Sequence, residues 1–172
     1  MKKVFALFLT VILVLGFSVN TYAEDLVAES GTEVAVPIVV GTPTTIIVHR
    51  VSNLCAVYNE LNQLMYAFVC STGKPGHETP LGVYQIYQHS TGSGYHLMVD
   101  GTYGRYCMRF KEGGYMIHSV CYAYKGAPEP IAEEVEALGT SVSRGCVRLG
   151  ILEAELLYST TPNGCTVIVL DD

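Results

Sequence analysis

Positive charge is scarce in this chain. Its 172 residues include 10 lysines and arginines against 16 aspartates and glutamates. Two of the ten, Lys2 and Lys3, precede an apolar run from Val4 to Phe17 that leads to the small-residue sequence Thr21-Tyr22-Ala23. That order is the pattern of a secretory leader over residues 1–23. Its removal would leave eight basic residues against 16 acidic ones, a formal charge of −8. A chain this acidic is not suited to nucleic acid or to an anionic membrane surface. Other absences narrow the class further. The apolar run is shorter than the roughly 20 residues of a membrane span, no later stretch could cross a bilayer, and no cysteine follows the run to carry a lipid, so no membrane contact beyond the leader is expected. There is no Cys-x-x-Cys and no His-Glu-x-x-His, which removes zinc ribbons, thioredoxin-type redox centres and the helical zinc hydrolases. No metal and no other cofactor is called for. Internal repeats and low-complexity tracts are missing too, and the length after the leader fits one domain with one core.

What is present reads as β-structure. Residues 24–43 mix Gly, Ser, Pro and acids among valines and read as a linker with one extended piece, so the folded domain is expected over 44–172. Thr44 to Arg50 is rich in β-branched residues. Val51 to Tyr58 and Gln63 to Cys70 form a hairpin about the polar Asn59-Glu60-Leu61-Asn62. Ser71 to Pro80 holds two glycines and two prolines and cannot continue either kind of element. Leu81 to Tyr87, Tyr95 to Val99, Tyr106 to Phe110 and Tyr115 to His118 are further short strands. Pro130 to Leu138 predicts a surface helix with Ile131, Val135 and Leu138 inward and Glu133, Glu134 and Glu136 outward, stopped by Gly139. A second helix over Ile151 to Tyr158, a turn at Asn163-Gly164 and a strand from Cys165 to Leu170 close the chain. The fold class is mainly β, a β-sandwich or barrel-like core with a few short peripheral helices.

The chemistry concentrates in Ser141-Val142-Ser143-Arg144-Gly145-Cys146-Val147-Arg148-Leu149, where a thiol, a glycine and two guanidinium groups crowd together. A cysteine in an exported chain is either a half-disulfide, a small core residue or a nucleophile. Six are present: Cys55, Cys70, Cys107, Cys121, Cys146 and Cys165. An even count invites three bridges, yet a free Cys146 would leave one of the other five without a partner inside the chain. A nucleophilic thiol needs a base. Of His49, His77, His89, His96 and His118, the last ends a strand, where a polar group arrives at the rim of a sheet. The backbone carbonyl of Ser119 beside it could accept from one imidazole nitrogen and leave the other facing the thiol.

These residues resemble the L,D-transpeptidase catalytic domain family (YkuD-like), exported bacterial enzymes that cross-link peptidoglycan. Thr44 to Val48 is similar to the family's opening strand. Ser71-Thr72-Gly73-Lys74 and Thr79-Pro80-Leu81-Gly82 match its S-T-G-x and T-P-x-G signatures, and Tyr115 to Ser119 matches the strand that bears the catalytic histidine. Ser143 to Leu149 matches S-H-G-C-[IV]-R-L. Two features depart from the pattern. Arg144 stands where the family commonly has histidine, and is either tolerated there or in contact with substrate. The 24 residues between His118 and Ser143 exceed the shorter forms of the motif, and form either a lid or a solvated surface helix.

The resemblance implies a mechanism and a setting. His118 would deprotonate Cys146. The thiolate would attack the peptide carbonyl at the L-centre of a diamino acid in a peptidoglycan stem tetrapeptide, and terminal D-alanine would leave. Backbone N–H groups near Gly145 and Cys146 would hold the oxyanion. The thioester would pass to a second stem's amine, joining two diamino acids, or to water, which would make the enzyme a carboxypeptidase. Arg148 would bind substrate carboxylates or hold the cysteine loop, Ser143 would orient that loop or donate to the oxyanion, and Tyr106 and Tyr115 would line the groove. Carbapenem β-lactams would acylate the same thiol. The enzyme is expected to be a monomer in the extracytoplasmic space at the cell wall. The reading from another class is a catalytically silent wall-binding β-domain whose cysteines are all structural.

Overall fold

The computed structural model describes residues 25–27, 33–35, 39–91 and 94–172; the leader expected over residues 1–23 lies outside them. The chain divides into a unit up to Ile38 and a larger one from Val39 to Asp172. In the first, Asp25–Val27 (β1) pairs antiparallel with Glu33–Ala35 (β2), Leu26 opposite Val34. The stretch that reads as a linker with one extended piece thus holds a two-stranded ribbon.

The larger unit is built on two sheets. The first runs through Pro43–His49 (β3), Leu54–Asn59 (β4), Leu64–Val69 (β5) and Gly82–Gln85 (β6), and ends with Thr166–Leu170 (β13), in the order β5-β4-β3-β13-β6. Strand β13 lies parallel to β3 and antiparallel to β6. The second sheet contains Gln88–His89 (β7), Met108–Lys111 (β10), Tyr115–Ser119 (β11) and Val147–Leu149 (β12), in the order β12-β11-β10-β7. A separate ribbon pairs His96–Leu97 (β8) with Tyr103–Gly104 (β9). Ala132–Glu136 (α1) lies in the long connection and Ile151–Thr160 (α2) follows β12. Among the described residues neither sheet closes on itself, so the architecture is an open sandwich and not a barrel.

The core lies between these layers. Ile46 and Val48 of β3, Val57 of β4, Met108 and Phe110 of β10, Ile117 of β11, Val147 and Leu149 of β12, Leu157 of α2, and Val167 and Val169 of β13 form one buried cluster. Side chains alternate along a strand, so with Ile117, Val147 and Leu149 inward, Met116, His118, Cys146 and Arg148 turn to the opposite face of the second sheet. All six cysteines are free thiols. Cys146 alone is partly accessible and the other five are buried. No helix among the described residues is long and apolar enough to cross a membrane.

The helix expected over 130–138 has one α-helical turn and a half, and its inward face is not the apolar one. Val135 is 44% exposed, whereas Glu134 turns inward. Its Oε2 accepts from the Cys121 backbone N–H at 3.0 Å and its Oε1 meets Arg148. A guanidinium and an amide with no other partner draw a carboxylate in more strongly than one valine draws itself in. The chain leaves α1 through Gly139 at φ +90, whose N–H donates to the Cys70 carbonyl.

Candidate active site

Strand register assembles the site. β11 and β12 run parallel with His118 opposite Arg148 and Ile117 opposite Val147, which sets Cys146 beside Met116 on the face that carries His118. The Met116 backbone N–H points at the thiol, and Cys146 Sγ lies 3.6 Å from the Gly114 carbonyl oxygen, to which the S–H donates. Cys146, His118, Arg148, Arg144, Arg109, Tyr115, Met116 and Asp100 all line one cavity of about 250 Å³.

His118 is 1% exposed. Its Nδ1 is 2.6 Å from the Ser119 carbonyl oxygen. A carbonyl only accepts, so Nδ1 carries the proton and Nε2 keeps its lone pair. Burial, and then the Arg148 guanidinium beside it, push this imidazole down to about 4, against the pull of the Ser119 bond. The back of the ring is packed by Gly104, where an added Cβ would stand 2.8 Å from His118 Nδ1. Burial raises the Cys146 thiol above its usual value, while the Met116 N–H, Arg148 and Arg109 oppose the rise. At neutral pH the two groups are therefore both uncharged, a thiol and an imidazole free to accept a proton at Nε2.

The turn before Cys146 is held by Ser143, which is fully buried. Its hydroxyl donates to the Cys146 carbonyl at 2.6 Å and accepts from the Gly145 N–H at 3.0 Å. The Gly145 N–H is thus already bonded, which departs from the expectation that it stands ready for an oxyanion. What glycine supplies here is conformation and room. It sits at φ +109, and an added Cβ would come within 2.6 Å of the Tyr115 ring. The Ser71–Pro80 loop braces this turn, with Ser71 N–H and Arg148 N–H exchanged across carbonyls at 2.8 Å and the Lys74 N–H donating to Ser143 at 3.0 Å. Lys74 itself is exposed.

Two expected positions differ. Tyr106 does not line the cavity. A left-handed backbone, φ 56, turns its ring to Tyr158 at 5.9 Å and under the Arg105 guanidinium at 4.7 Å. Arg148 is already paired, Nη1 to Glu134 Oε1 at 2.8 Å, with both side chains less than a fifth exposed. That carboxylate occupies the place suggested for a substrate carboxylate and ties the cysteine strand to the long connection. Arg144 lines the cavity with an exposed side chain.

Some residues that shape the site had no sequence signal assigned to them. Asn53, buried at φ 54, accepts from the Thr72 N–H and hydroxyl at 3.0 and 2.8 Å and donates to Ser141 Oγ at 3.2 Å. It thereby joins the β3–β4 turn to both motif segments. The left-handed preference of Asn was the only available clue. Among the described residues no group of three His, Cys, Asp or Glu side chains could hold a metal ion.

A family model, YkuD, the L,D-transpeptidase catalytic domain, matches residues 28–169. The chain belongs to this family. Its fold is similar to LD transpeptidase LdtMt1 in complex with imipenem, at 17% identity and TM-score 0.60 over 88% of this chain and 79% of that one. It is similar also to an L,D-transpeptidase from Mycobacterium smegmatis, at 20% identity and TM-score 0.61 over 82% of this chain and 64% of that one. A third is L,D-transpeptidase 3 from Mycobacterium tuberculosis in complex with a faropenem-derived adduct, at 20% identity and TM-score 0.57 over 75% of this chain and 61% of that one. The chain thus spans less than two thirds of the length of the latter two. No curated protein matches it significantly.

Proposed function

We propose that the chain is an exported cysteine L,D-transpeptidase that acts on peptidoglycan stem tetrapeptides, with residues 1–23 as a cleaved leader, 24–43 as a connector and 44–172 as the catalytic domain. The observation that carries this reading is the His118 tautomer. With Nδ1–H fixed on Ser119, a neutral imidazole presents its Nε2 lone pair to the face and cavity that hold Cys146. Nε2 takes the thiol proton as sulfur attacks the carbonyl at the L-centre of the diamino acid. His118 returns the proton to the amine of D-alanine as the peptide C–N bond breaks, leaving a thioester on Cys146.

A second stem's side-chain amine then attacks the thioester, delivers its proton to Nε2 and frees the thiol, with a bond between two diamino acids as product. Ser143 positions the loop, and Gly145 can stabilise the oxyanion once its N–H leaves the Ser143 hydroxyl. Tyr115 and Arg144 border the substrate, and Arg148 holds the cysteine strand through Glu134. LdtMt1 is in complex with imipenem and L,D-transpeptidase 3 with a faropenem-derived adduct, which supports acylation of Cys146 by carbapenems. The enzyme works as a monomer outside the cytoplasm, at the wall.

Incubation of the purified protein with disaccharide tetrapeptides tests this reading. Mass spectrometry is expected to show a Cys146 acyl adduct, released D-alanine and a cross-linked dimer, all absent in Cys146→Ala and His118→Ala. D-alanine release without dimer would instead identify a carboxypeptidase. Neither product, with Cys146 disulfide-bonded and unreactive to carbapenem, would identify a wall-binding domain.

A further inference from the structure

Arg109 occupies a position that the catalytic scheme leaves unused. It lies on β10, opposite Gln88 of β7 on one side and Met116 of β11 on the other, and Met116 adjoins Cys146. One row of side chains therefore crosses the sheet from Cys146 through Met116 and Arg109 to Gln88, all on the face away from the core. Two strand spacings separate Cys146 from Arg109, about 10 Å across the sheet, and the long Arg109 side chain shortens the gap for anything attached to the sulfur. Its guanidinium stands at the wall shared by the cysteine cavity and a neighbouring one of about 450 Å³ lined by Gln88, His89, Ser90, Tyr95 and Glu112 among others.

Among the described residues no carboxylate lies within ion-pair distance of Arg109. The arginine–carboxylate pairs among the described residues join Arg50 to Asp171 and Arg148 to Glu134, and neither includes Arg109. Nη2 donates to His96 Nε2 at 3.1 Å, a contact in which the histidine is neutral, and burial and Arg109 itself hold that imidazole below its usual value. Among the described residues this is the one hydrogen bond the Arg109 fork makes. Of the other guanidinium groups lining the cysteine cavity, Arg148 is matched by Glu134 and Arg144 is exposed to water, where a charge is worth little for recognition. A half-buried, uncompensated guanidinium suits a bidentate carboxylate partner.

We propose that Arg109 is a specificity-determining residue that binds a carboxylate carried on the side chain of the diamino acid joined to Cys146, so that donors with this carboxylate free are selected over donors in which it is amidated or absent. The inference rests on the transpeptidase reading, in which that diamino acid's L-centre is bonded to the sulfur.

Three tetrapeptide donors that differ only at this group (free carboxylate, carboxamide, hydrogen) distinguish the two ideas when Cys146 acylation is followed by mass spectrometry. The native protein is expected to favour the free carboxylate in kcat/KM by about ten- to a hundredfold, the scale of a charge-assisted hydrogen bond. In Arg109→Gln that ratio collapses toward one, chiefly through KM, and Arg109→Lys restores part of it. Efficient acylation by all three donors without preference overturns the proposal and leaves the transpeptidase reading standing. So does a preference that survives in Arg109→Gln, or one that appears only when the acceptor's carboxylate is varied. Failure of every donor to acylate Cys146 overturns both.

Discussion

Arg148 Nη1 and Glu134 Oε1 lie 2.8 Å apart, and the pair connects the strand next to the nucleophile with the only helix of the His118–Ser143 connection. The carboxylate is fixed at its other oxygen by the Cys121 N–H. Glu134 therefore acts as a counter-charge, and it moderates how strongly Arg148 acts on its two neighbours, Cys146 and His118.

Glu134→Gln keeps an acceptor for the Cys121 N–H and removes the charge. The groups facing Cys146 are then Arg148 and Arg109, which lower its thiol, and Asp100, which raises it; with Arg148 no longer balanced, the thiolate gains. The pH midpoint of Cys146 alkylation by iodoacetamide is expected to fall by about half a unit, and to rise in Arg148→Gln. In the double variant the Glu134 substitution should add no further shift. An equal shift with and without Arg148 would show that Glu134 does not act through it.

His118 links stability to acidity. Its imidazole is pushed from 6.5 down to about 4 in the fold, so between those values the unfolded chain binds a proton that the folded chain does not. Its contribution is fully present above about 6.5 and is lost as pH falls toward 4, about 3 kcal/mol in all. Denaturant titrations at pH 7 and pH 4.5 are expected to give a smaller difference in His118→Gln than in the native chain. An equal difference would assign the acid sensitivity to other groups.

Gly104→Ala tests the packing behind the base. The new methyl would meet Met98 Cε, a flexible end that can move, and His118 Nδ1 at 2.8 Å, which the Ser119 bond holds. Turnover is expected to drop by about a hundredfold, the lower end of the range for loss of a positioned base, while alkylation of Cys146 at alkaline pH persists. Loss of both together would point to collapse of the cavity instead.

Ser143→Ala removes one hydroxyl that joins the Gly145 N–H to the Cys146 carbonyl. The predicted cost is about 1 to 3 kcal/mol of stability from the stranded backbone groups, with kcat reduced more than KM. Unchanged kcat would exclude a role for this hydroxyl in holding the turn.

The sheets were legible in the sequence because a short alternating run such as Met108 to Phe110 declares two faces and the apolar run Tyr115 to Ile117 delivers His118 to a strand's end. The Cys146 turn was legible because its residue types are unusual together. What escaped depended on the order of strands in space. That Arg109 turns away from the core follows from its neighbours, but that it shares a row with Cys146 follows only from β10 lying beside β11 and β11 beside β12. Glu134 escaped for a different reason. A five-residue helix with no buried residue has too little apolar face for periodicity to set its orientation, and two polar groups on other segments set it. Tyr106 was misplaced because its left-handed backbone gives no warning in an aromatic residue.

The position of β13 bears on when this domain can become a domain at all. Residues 166–170 lie between β3 and β6 in the larger sheet, yet every other strand of that sheet is made before them. A chain emerging from the ribosome has no strand to set between β3 and β6 until residues 166–170 appear. Contacts of such long sequence separation form slowly. The larger sheet is therefore completed only when residues 166–170 join strands made long before them.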